Sequence, residues 1–83
     1  MIHHTPPHAA VRIQERYGLV PDLLDWTRAA LDIAASVAGD ASPAILLRRN
    51  VDGTERWLVR VGMVPVIACY NPMDMVIFTV LPP

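Results

Sequence analysis

The chain contains no lysine. All seven of its basic side chains are arginines, set against eight carboxylates, which gives a formal net charge of -1 at pH 7. Proteins that coat nucleic acid through bulk charge are usually strongly basic, so that class is excluded and only a small local basic site stays open. Cysteine occurs once, at Cys69, so no internal disulfide can form and the fold stands without one. This fits a reducing cytoplasm, which is the expected location. No apolar run reaches the ~20 residues of a membrane span. The opening Met1-Ile2-His3-His4 lacks the basic-then-apolar order of a secretory signal. A phosphate-cradling glycine loop, a cysteine–histidine zinc pattern and a serine-hydrolase elbow are all missing. His3 and His4 have no acidic or thiol companions at ligand spacing, so neither a metal nor a cofactor is expected.

What is present fits one α+β domain over residues 1–83. A chain this short buries only ~60–65% of its unfolded surface, so its stability margin is thin. A hydrophobic content of 53% supplies a core, and it also points to apolar surface covered by a partner or a second copy. Residues 1–6 read as a loose leader. A first helix is expected from Pro7 to Tyr17, opened by prolines and stopped at Gly18. At about 100° per residue, His8, Arg12, Glu15 and Arg16 share one face, and Ala9, Ala10, Ile13 and Tyr17 the other. Pro21 and the nearby Asp22 and Asp25 suit the first turn of a second helix reaching about Ala38, with Gly39 after it. Its expected apolar arc is Leu23, Trp26, Ala30, Leu31, Ile33, Ala34 and Val37. On its polar arc, Arg28 and Asp32 have the spacing of an i,i+4 ion pair.

After the turn formers Asp40-Ala41-Ser42-Pro43 the period changes. Ala44–Asn50, Arg56–Val61, Val64–Asn71 and Met75–Leu81 read as four strands rich in Val, Ile and Leu. Asp52-Gly53, Gly62-Met63 and Asn71-Pro72-Met73-Asp74 are tight turns, which join antiparallel neighbours. The expected architecture is two N-terminal helices (within residues 7–38) on one face of a four-stranded antiparallel meander (within residues 44–81). Strand two alternates, with Trp57, Val59 and Val61 on one face and Arg56, Leu58 and Arg60 on the other. Strands three and four are apolar on both faces, as central or doubly covered strands are.

The run His8-x-x-x-Arg12-x-x-x-Arg16-x-Gly18, followed by a sheet ending in Val76-Ile77-Phe78-Thr79-Val80-Leu81-Pro82, resembles small RelE-like toxins and their phage and prophage relatives in the barnase/EndoU/colicin/RelE ribonuclease superfamily. The resemblance covers most of the chain in layout and about a dozen positions in identity. It implies metal-independent RNA cleavage, in which the ribose 2′-oxygen attacks the adjacent phosphate. His8 would then move the proton, because imidazole titrates near neutrality. Arg12 and Arg16 would hold the phosphate through planar, bidentate contacts. Tyr70 and Thr79 match positions where relatives place polar active-site groups, and Arg48, Arg56 and Arg60 would extend the basic surface. RNA and an antitoxin or immunity-type protein are the partners such a domain implies. The missing lysine departs from the pattern, since RelE-type ribonucleases tend to be strongly basic. That departure, with the apolar strands, sustains a second expectation: a phage or mobile-element interaction module that binds a host protein or forms a homodimer through its sheet.

Overall fold

The computed structural model describes residues 7–83. The expected leader, with His3 and His4, lies outside the described residues. The elements run α1 (Pro7–Tyr17), α2 (Leu23–Val37), β1 (Ile45–Arg49), β2 (Glu55–Val61), β3 (Val64–Asn71) and β4 (Val76–Leu81). The strands form one antiparallel sheet in the order β1-β2-β3-β4. Both helices pack on the same face of it, α1 over β4 and α2 mainly over β2.

Local chemistry sets the element ends. Asp22 caps α2 by accepting from the Asp25 N–H at 2.9 Å, and the Asp25 carboxylate accepts from the Asp22 N–H at 3.1 Å. This reciprocal capping box satisfies two helix-end donors. Pro21 therefore precedes the cap and does not stand in the first turn. The β1–β2 connection closes with Asp52 Oδ1 accepting from the Thr54 N–H at 2.9 Å and from its hydroxyl at 2.6 Å. These bonds, led by the hydroxyl's, hold the Asp52 carboxyl below its ordinary pKa. Between β2 and β3, Gly62 takes φ 64° at the first position of a two-residue loop, where a side chain would be strained.

The core lies between the helices and the inward sheet face. Ala9, Ile13, Trp26, Ala29 and Ile33 meet Trp57, Val59, Val61, Val66, Ala68, Tyr70, Ile77 and Val80. Trp57, Val59 and Val61 point inward as their alternation predicts. Several other expectations are corrected. Ala10 is exposed, because α1 lays only a narrow stripe on β4. Leu23, Leu31 and Val37 of α2 are 47%, 54% and 69% exposed, since the helix overlies little of the sheet beyond β2. Arg28 and Asp32 do not pair; among the described residues the ion pairs are Arg12–Glu15 and Arg49–Glu55. β4 is an edge strand and no helix covers its outward face.

A bulge explains the composition of β4. The register passes from Cys69↔Thr79 to Tyr70↔Ile77, so Phe78 is an extra residue. Without it, Ile77 and Val80 would fall on opposite faces by strand alternation. With it both are buried against the helices. A second bulge, at Leu47, interrupts the pairing of β1 with β2.

Candidate functional site

The candidate residues fall into three separate places. The first is the outer side of α1. His8 is exposed in the first turn. Arg12 is held by Glu15 at 2.9 Å. Arg16 turns away from both: its Nη1 donates to the Val80 carbonyl on the free edge of β4. His8 and Arg16 are also about 12 Å apart along the helix axis at 1.5 Å per residue, too far to serve one phosphate. The next residue, Tyr17, does related work at the sheet. Its hydroxyl donates to the Leu81 carbonyl at 2.7 Å and accepts from the Ile67 N–H at 3.2 Å. Ile67 and Leu81 are cross-strand partners, so the phenol sits in the ladder between β3 and β4.

The second place is the outward sheet face, which no helix of the described residues covers. Arg48, Arg56, Cys69 and Thr79 form one cross-strand row over all four strands. Two arginines directly opposite one another repel, and neither Arg48 nor Arg56 has a carboxylate within ion-pair distance among the described residues. The Arg56 Nε is itself buried and has no hydrogen-bond partner among the described residues. Cys69 is buried between Arg56 and Thr79, and that burial raises its thiol pKa against the opposing pull of Arg56 and Arg16. Arg60 does not extend this row. It lines a separate hollow with Asp25, Arg28 and Asp32, where two acids face two arginines.

The third place is inside. Tyr70 points to the helix side, opposite Glu55 in the ladder. It is next in sequence to Cys69, the partner of Thr79, so Tyr70 and Thr79 lie on opposite faces of the sheet. His8, Arg12, Tyr70 and Thr79 therefore do not meet in one cleft.

Two features were missed by the sequence reading. Glu55 is a buried carboxylate whose Oε1 accepts from Trp57 Nε1 at 3.0 Å. Its i,i+2 spacing to Trp57 was the available signal, because residues two apart share a strand face. The other is the state of the two sheet edges. The β4 edge is tied by Arg16, whereas all five residues of β1 are exposed, including Ile45, Leu46 and Leu47 in succession.

A scan against protein-family models and searches of curated proteins and solved structures each find no match to this chain. No helix among the described residues is long and apolar enough to cross a membrane.

Proposed function

We propose that this chain is a protein-interaction domain that takes an extended, acidic segment of another protein along β1. The observation that carries this reading is the edge strand β1: exposed at every residue, apolar from Ile45 to Leu47 and closing in Arg48 and Arg49, of which Arg48 faces Arg56 with no carboxylate within ion-pair distance among the described residues. An edge strand offers unpaired backbone donors and acceptors to an incoming strand. Bulges and charges on an edge oppose indiscriminate pairing, and β1 carries both, at Leu47 and at Arg48-Arg49. A second copy of β1 brings more arginine and no acid to that edge. An acidic segment turns the same arginines into attractions and relieves the Arg48–Arg56 repulsion. The ribonuclease chemistry implied by the resemblance finds less support, since its four candidate residues lie apart.

The test uses extended synthetic peptides that alternate valine with glutamate or with lysine, titrated into the isotope-labelled protein. The glutamate peptide should shift the amides of Leu46 to Arg49, and the lysine peptide should not. Arg48→Glu should reverse that preference, each exposed charge pair contributing up to about 1 kcal/mol. Shifts that map away from β1 would overturn the reading. So would perturbation of Arg48 and Arg56 by an RNA oligonucleotide when neither peptide binds.

A further inference from the structure

Beyond that surface, the C-terminal half of α2, the end of β1, the start of β2 and the β3–β4 turn line an open-sided hollow of about 270 Å³. Ile33, Ala34, Val37 and Met75 give it apolar walls, and Glu55 and Tyr70 give it a polar floor. Glu55 is only 9% exposed. A buried carboxylate needs hydrogen bonds and a countercharge. Among the described residues one hydrogen bond reaches the Glu55 side chain, from Trp57 Nε1. Its cation is Arg49, whose Nε stands 3.3 Å from Oε2 while 74% of the Arg49 side chain is in solvent. The countercharge thus stands in solvent, at the open side of the hollow, where an incoming cation can take its place. Tyr70 is also buried and stands directly across the ladder from Glu55. Its phenol is kept neutral to higher pH than usual by burial first and by the Glu55 charge second, so its oxygen stays available as donor and acceptor.

We propose that this hollow binds a small organic cation: a primary ammonium on a short apolar body. The ammonium displaces Arg49, donates to Glu55 Oε2 and to the Tyr70 hydroxyl, and lies beside an aromatic ring that attracts cations. The body fills the space between Ile33, Val37 and Met75. A cavity of roughly 150 Å³ holds a benzene molecule, so the space here suits one ring with a two-carbon arm. A neutral alcohol of the same shape lacks the charge that Glu55 calls for, and a carboxylate is repelled by it.

Three matched probes test this: phenethylammonium, 2-phenylethanol and phenylacetate, titrated into the labelled protein at pH 7. The reporter is the Trp57 indole N–H, bonded to Glu55, with the Trp26 indole as internal reference. The ammonium should give a saturable Trp57 shift that the alcohol and the carboxylate do not. Glu55→Gln, which keeps an acceptor for Trp57, should weaken it roughly tenfold or more, as expected on losing a charged partner. Tyr70→Phe should weaken it less. An absent Trp57 shift with the ammonium, an equal shift with the alcohol, or unchanged affinity in a folded Glu55→Gln protein would overturn the proposal. If Glu55→Gln fails to fold, the comparison of the three probes on the unaltered protein decides. Arg49 borders both sites, but the peptide test is decided by Arg48→Glu and this one by the Trp57 indole and Glu55→Gln, so failure of either proposal is distinguishable from failure of the other.

Discussion

Replacing Tyr17 by phenylalanine removes one oxygen and leaves the ring in place. That oxygen links the last turn of α1 to two strands, accepting from Ile67 N–H and donating to Leu81 C=O. Tyr17→Phe therefore strands a backbone donor and a backbone acceptor at once. Each buried group left unpaired costs ~1–3 kcal/mol. Both sites are only partly buried, so water recovers some of the loss, and the expected total is about 1–2 kcal/mol. For a domain of this size, 1 kcal/mol corresponds to ~4–8 °C in Tm, so the midpoint should fall by ~4–16 °C. Thermal unfolding followed by circular dichroism measures this. Amide exchange adds a local readout, since the Ile67 N–H should lose protection while Val59 and Val66 keep theirs. A Tm change below about 2 °C together with unaltered Ile67 protection would show that the phenol is not part of the ladder in solution.

Two further outcomes are expected. Ile33→Ala empties a fully buried position beneath α2 and should cost ~2–5 kcal/mol, read as a lower urea midpoint at unchanged slope. Tyr70 and Cys69 both have raised pKa values, chiefly through burial. The folded state then holds protons that the unfolded chain releases, so their contribution is complete below the ordinary thiol and phenol values and is lost as pH climbs through the folded ones. Stability should thus fall above about pH 8.5–10, and less steeply in Tyr70→Phe; a denaturation midpoint equally steep in that variant would remove Tyr70 as a cause.

Much of the fold was legible because its signals are local. Asp52-Gly53 and Gly62-Met63 mark hairpins by backbone chemistry alone, and Trp57, Val59 and Val61 announce their face by alternation. The layout of two helices before a meander follows from these. Other features depend on neighbours far along the chain. Phe78 carries no mark of a bulge, yet that bulge separates Thr79 from Tyr70. Arg16 belongs by period to the polar face of α1, and only the position of β4 shows that it reaches a carbonyl 64 residues away. Glu55 fell between the Asp52-Gly53 turn and a strand two expected from Arg56, because a lone charge beside Thr54 gives no hint of burial. The exposure of Leu31 and Val37 was hidden for the opposite reason: helical periodicity reports an apolar arc, not how wide a sheet lies beneath it.

The unequal edges of the sheet have a consequence for assembly. A strand added at β1 extends the sheet by one, and the far side cannot repeat the step where Arg16 occupies the Val80 carbonyl. Propagation through both edges, as in a fibril, needs two receptive sides on every molecule. Under the proposed reading β1 is the receptive side, while on β4 the Arg16 guanidinium takes one of the acceptors a second strand would need. An addition at β1 alone would then be self-limiting, which growth through both edges is not.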